Sequence, residues 1–181
     1  EFRRVLFRSV GHALKSGRAQ LGEYVAQLAT RYPLAADGEL DLYKAFVELA
    51  ISLVRDDGCI ALLVPAGLIR SSSTESLRRE LLRSARHLDA TVLDNRARFF
   101  AIDTRFKFLA LKASFGSGTR KPITLRHAAG TNDGVTETGH ATISRATLRQ
   151  HRPDLTIPEV RSAAEWDLYR KIMDQIGRAH V

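Results

Sequence analysis

The chain holds a single cysteine, Cys59, among its 181 residues. That excludes a disulfide framework and makes a reducing, cytoplasmic setting the expectation. No apolar run approaches the roughly 20 residues needed to cross a bilayer, so no membrane partner is expected, and no secretory signal is evident. Six histidines are scattered without a His-x-x-x-His step or a Cys/His cluster of ligand spacing, and a metal site is not expected. Neither a Gly-x-Ser-x-Gly elbow nor a glycine-rich P-loop surrounds the serine run Ser71-Ser72-Ser73-Thr74, which reads as a loop and helix cap rather than a nucleophile or phosphate loop. No Ser/His/Asp order with local signatures supports a hydrolase. Internal repeats and low-complexity tracts are absent as well.

What is present suits a soluble α/β domain. Hydrophobic residues make up 44% of the chain and charged ones 27%, enough for one domain with a core. The two ends are set apart. Residues 176–181, IGRAHV, can be encoded by ATC GGA AGA GCA CAC GTC, whose reverse complement in another frame gives the RVLFR of residues 4–8. Complementary ends of that kind look like translated sequencing adaptor, so residues 1–9 and 176–181 are expected to be non-native. Without their four arginines and one glutamate the net charge falls from +8 to +5, still basic and still favourable to an anionic partner such as nucleic acid.

The organising stretch runs from Asp41 to Leu68. Leu42, Ala45, Phe46, Leu49, Ala50 and Leu53 recur at three- and four-residue steps and predict a helix with that apolar stripe, capped by Asp41. Asp56-Asp57-Gly58 ends it. Cys59 to Val64 is a continuous apolar run bounded by Pro65 and Gly67, which suits a central strand of a parallel sheet covered on both faces. Upstream, Leu21, Val25 and Leu28 suggest one short helix, and residues 31–38 a loop. Downstream, a second amphipathic helix places Leu77, Leu81, Leu82 and Ala85 inward and Arg78, Arg79, Glu80 and Arg83 outward. Strands are predicted at Ala90–Leu93 and Phe106–Ala113, with an edge strand at Ile123–His127, a polar turn over Thr131–Gly139, and a short helix from about Ala163 to Met173 carrying Trp166.

The connection from Asp94 to Arg105 is tight enough to predict antiparallel pairing of the strands it joins. It also concentrates chemistry. Arg96, Arg98 and Arg105 are phosphate-binding candidates, and Phe99 and Phe100 offer faces on which a base can stack. The plain alternative stands beside it: adjacent phenylalanines near a strand often pack inward, and loop arginines are often only solvated.

Across residues 31–114 the succession DLYKAFVELA, GCIALLVPAGL, a helix, a strand ending in Asp94-Asn95-Arg96, and RFFAIDTRFKFLAL resembles the closing half of the catalytic domain of S-adenosylmethionine-dependent adenine-N6 DNA methyltransferases of restriction-modification systems. The resemblance implies a partial doubly wound, Rossmann-like sheet with a terminal antiparallel strand. It implies that Phe100, and next Phe99, stacks on a flipped-out adenine, that Phe46 lies near the adenine ring of S-adenosylmethionine, and that double-stranded DNA is the partner. The family's glycine-rich cofactor loop and its Asn-Pro-Pro-aromatic motif, which precede the DLYKAF helix, are missing.

The expected organisation is therefore residues 10–115 as the C-terminal half of a methyltransferase catalytic domain and 119–175 as the start of a target-recognition or accessory region. No catalytic residue is expected in this fragment, and it should be inactive alone. A non-catalytic DNA-binding module, or a fragment of a methyltransferase acting on RNA or protein, are the other readings. With its front strands missing, the strand after Asp57 should expose an edge.

Overall fold

The structure is a computed structural model that describes residues 2–96, 98–131 and 134–179. Five strands, β1 (Cys59–Pro65), β2 (His87–Asp94), β3 (Lys107–Ser114), β4 (Ile123–Thr131) and β5 (Gly134–Ile143), form one open sheet in the order β1-β3-β2-β4-β5. The helices are α1 (Phe2–Arg31), α2 (Leu42–Leu53), α3 (Glu75–Ser84), α4 (Arg145–His151) and α5 (Ala163–Ala179). This is a mixed α/β sheet, compatible with part of a Rossmann-like one. β3 runs antiparallel to both β1 and β2, and β2 runs parallel to β4, so β1, β2 and β4 share one direction and end at the same rim of the sheet.

Alternation along the strands decides the core. Ile60 and Val64, Leu109 and Leu111, Leu88, Ala90 and Val92, and Ile123 and Leu125 all point to one face, where they meet Val47, Leu77, Leu81 and Leu82 of α2 and α3. The opposite face, with Ala61, Leu63, Asp89, Thr91 and Lys112, stays partly open. β1 is thus an edge strand paired on one side only, not a central strand covered on both faces, although its exposed edge is the one the sequence anticipated.

Several expectations are corrected by packing. On α2 the buried apolar residues are Ala45 and Val47, with Tyr43, Ala50 and Ile51 half-buried, so Ala45 and Ala50 of the expected stripe are covered whereas Leu42, Phe46 and Leu53 are exposed. The helix carries apolar residues on two faces, and contact with β1 selects one of them. Lys44 is buried because its ammonium donates to the carbonyls of Asp37 and Ser73, both at 2.9 Å, tying two loops together. Asp41 caps α2 as expected, accepting from the Tyr43 N–H. The serine run forms one short 3-10 turn, Ser72–Thr74, but none of its hydroxyls caps α3. Instead Asp37 accepts from the N–H and hydroxyl of Ser76 in the first turn.

Arg78, expected outward, is only 2% exposed. Its guanidinium donates to the carbonyls of Leu68, Ser71 and Asp154 and to the Thr74 hydroxyl, so a charge sits inside because oxygens surround it. β4 is not an edge strand: it lies between β2 and β5. The expected polar turn contains most of β5, whose exposed side chains are polar apart from Val135; residues 132 and 133 of that turn lie outside the described residues. α4 was not foreseen. α1 is a 30-residue helix rather than a short one, and α5 continues past Met173.

Candidate nucleic-acid interface

The residues that the sequence singled out in the β2–β3 connection stand at the rim where β1, β2 and β4 end. In open α/β sheets that rim is where loops are free to meet a ligand while the strands hold them.

Asn95 builds the connection. It follows the last residue of β2 and is fully buried. Its amide nitrogen faces the carbonyls of Phe100 at 3.2 Å, Ile102 at 3.4 Å and Asp103 at 3.3 Å, and its oxygen accepts from the Phe100 N–H at 3.1 Å. One side chain thereby substitutes for the backbone ladder that a loop lacks. Arg98 takes a left-handed backbone with φ of 55° and donates its N–H to the Asn95 carbonyl at 2.8 Å. Sequence reasoning passed over Asn95, though an asparagine directly after a strand and before a turn is a usable signal.

With the backbone pinned, the two phenylalanines remain at the surface. Phe99 is 42% exposed and Phe100 36%. Phe100 leans on Phe108 of β3, ring centroids 4.2 Å apart at 46°, which fixes one face of the ring. Phe99 lies against Gly130 of β4, where a Cβ would fall 1.8 Å from its Cε2.

The three arginines differ in how free their charges are. Arg105 is gripped by Asp103, whose carboxylate accepts from its Nε and a terminal nitrogen as well as from its N–H. The hydrogen bonds from Arg105 hold the Asp103 carboxyl below its ordinary value. Arg96 sits 3.2 Å from Asp94, which also accepts its N–H. Among the described residues Arg98 has no ion-pair partner. Exposed pairs of this kind are worth only about 0–1 kcal/mol, so Arg96 and Arg105 stay exchangeable toward an external phosphate.

The sheet brings further residues to the same rim. A cleft of about 210 Å³ opens between the connection and β4, lined by Asp94, Arg96, Lys107, His127, Thr138 and Arg161 among others. Glu159 joins Lys107 to Arg70, the latter at 2.8 Å. Burial pushes the Glu159 carboxyl up, but the hydrogen bond and charge of Lys107, with Arg70 and His127, outweigh it and hold the group below its ordinary value. His127 is buried, donates from Nε2 to the Val160 carbonyl at 3.2 Å, and is pushed down by that burial, so it is neutral at pH 7. Nothing in the spacing of Lys107, His127 and Arg161 foretold their meeting.

Phe46 is not part of this rim cluster. It stands 63% exposed on the outer face of α2, in a recess of about 170 Å³ with Tyr24, Leu28, Tyr32, Leu42 and Leu49. Leucine, alanine and aromatic side chains line that recess. Among the described residues no cluster of His, Cys, Asp or Glu is arranged to hold a metal ion, and no helix is long and apolar enough to cross a membrane.

No family model and no curated protein sequence matches the chain. Solved structures with partial likeness include a DrdV–DNA complex, with 15% identity, a TM-score of 0.44, and coverage of 58% of this chain and 12% of that one. The ATP-dependent Type ISP restriction-modification enzyme LlaBIII bound to DNA gives 11% identity, a TM-score of 0.42, and coverage of 59% and 8%. The type IIG restriction endonuclease BpuSI gives 12% identity, a TM-score of 0.44, and coverage of 77% and 18%. This chain spans less than a fifth of each of those structures.

Proposed function

We propose that this chain is the DNA-facing portion of a restriction-modification methyltransferase whose whole form acts on adenine N6 in double-stranded DNA. S-adenosylmethionine would supply the electrophilic methyl group in that enzyme. This chain's part is to receive the target nucleotide, and by itself it transfers no methyl group.

The observation that carries the reading is the Asn95-pinned connection, which holds Phe99 and Phe100 at the surface with Arg96, Arg98 and Arg105 around them. A base that leaves its stack loses a few kcal/mol, and an aromatic face returns about 1–3 kcal/mol of it. The arginines favour the flanking phosphates. Pinning matters because a loop ordered only on binding would spend part of that return on its own entropy.

Duplex binding by the full chain tests this. Fluorescence anisotropy with a labelled duplex carrying one unpaired adenine should show tighter binding than with the fully paired duplex. Phe100→Ala should remove most of that difference, and Arg98→Ala should weaken both duplexes alike. Equal affinity for the two duplexes, unchanged by Phe100→Ala, sinks the base-receiving role. Methyl transfer from S-adenosylmethionine to DNA by the chain alone would contradict its assigned inactivity.

A further inference from the structure

We infer that the cleft lined by Arg96, Lys107, His127, Thr138 and Arg161 is a binding site for a backbone phosphate of a nucleic-acid strand whose adjacent base lies against Phe99. The inference rests on the DNA-facing reading above and assigns a site to residues outside the connection.

Three features of the fold build this cleft. The register of β4 against β5 slips between His127 and Ala128: His127 pairs with Gly139 and Ala128 with Glu137, leaving Thr138 as a bulged residue at the cleft wall. Bulges of this kind re-aim side chains beside functional sites. Next to it, Gly139 has no Cβ, and one placed there would stand 2.7 Å from the Arg161 carbonyl oxygen. The glycine therefore lets the 158–161 segment lie directly on β5, where the His140 N–H donates to the Arg161 carbonyl at 2.9 Å and His127 binds the Val160 carbonyl. Arg161 is thus carried to the cleft by two contacts that fix its backbone.

The charge balance favours an anion. Of the residues lining the cleft, Arg96, Lys107 and Arg161 stand against one carboxylate, Asp94, with His127 neutral, while outside the lining Glu159 pairs with Lys107 and Glu165 accepts the Arg161 N–H. Arg96 is partnered by Asp94, and Lys107 by Glu159. Among the described residues the Arg161 guanidinium has no hydrogen-bond or ion-pair partner, which leaves its planar fork available to phosphate oxygens. The neighbouring Gly130 also lines the cleft and carries the Phe99 ring. An anion site with an exposed aromatic face beside it matches a nucleotide unit within a strand better than a free phosphate, because phosphate and base are then bound together.

The test uses the full chain, a labelled DNA duplex, and Arg161→Gln, which leaves a side chain of similar reach and removes a guanidinium that holds no partner among the described residues. Binding at several salt concentrations should show Arg161→Gln weaker by roughly tenfold at low salt, with the dependence of log affinity on log salt shallower by about one phosphate contact. Unaltered affinity and slope for Arg161→Gln, in a chain whose duplex binding still responds to Arg98→Ala, overturns the cleft site while sparing the DNA-facing reading. Loss of all duplex binding in the unmodified chain overturns both. Competition by inorganic phosphate at a concentration that leaves the ionic strength matched, with no effect of Arg161→Gln on DNA, would assign the cleft to a small anion and overturn the strand phosphate.

Discussion

Asn95 and Phe100 hold each other by both polar edges: the Phe100 N–H donates to the Asn95 side-chain oxygen at 3.1 Å, and the Asn95 amide nitrogen donates to the Phe100 carbonyl at 3.2 Å. The same side chain reaches the carbonyls of Ile102 and Asp103, so the whole connection depends on one buried amide.

Asn95→Ala should therefore cost about 2–3 kcal/mol, from lost hydrogen bonds and from carbonyls left without donors. Urea denaturation measures it. Hydrogen exchange gives the sharper readout: the Phe100 amide should exchange much faster, while the Leu109 amide in β3 follows only the global change. Asn95→Asp should be worse at neutral pH, since it turns a carboxylate toward three carbonyl oxygens. Part of that loss should return on acidification, when the carboxyl regains a donor.

Gly130→Ala should move Phe99. The glycine has an ordinary backbone, so alanine is not strained there, but its methyl would fall within 1.8–2.7 Å of three Phe99 ring carbons. The ring end is free to swing outward. Stability should fall by less than about 1 kcal/mol, while chymotrypsin cuts after Phe99 more readily than in the parent chain. In the Phe99→Ala background the Gly130→Ala effect on stability should vanish, because the two residues share one contact.

Two titrations should mark the acid side of the stability curve. Burial lowers the His127 pKa, with Arg161 and Lys107 acting the same way and Glu159 and the Val160 carbonyl opposing. The unfolded chain thus takes up that proton first. Stability is present in full above the ordinary histidine value of about 6.5 and declines as pH falls through it toward the lower folded value. Glu159 adds a second step at lower pH. Its folded pKa lies below the ordinary value, so its contribution is present above the usual carboxylate range and is lost as pH falls through the folded value. His127→Gln should remove the upper step alone in urea midpoints measured across pH.

Arg78→Ala should be among the most damaging single changes, costing about 3 kcal/mol or more, because it strands the carbonyls of Leu68 and Asp154 in the interior. Burial lowers the Arg78 pKa without removing its charge. Arg78→Lys should rescue little: one ammonium has no planar fork to serve Leu68 and Ser71 on one side and Asp154 on the other. Thermal denaturation of the three chains orders them.

The amino-acid sequence alone determined the alternation of helix and apolar strand, the Asp41 cap, the antiparallel pairing of β2 and β3, and the concentration of arginine and phenylalanine between them. Each is set by neighbours a few residues apart, where period, turn chemistry and loop length act directly. Which apolar face of α2 turns inward, whether Arg78 is solvated or buried, and where β4 stands in the sheet depended on contacts between distant segments. The cleft is the plainest case. Arg96, Lys107, His127 and Arg161 span 65 positions of the chain and meet only because β4 pairs with β2, a bulge falls at Thr138, and a glycine lets the 158–161 segment close on β5. Sequence spacing carries no trace of such meetings, because strand register and backbone approach are decided by the whole core at once.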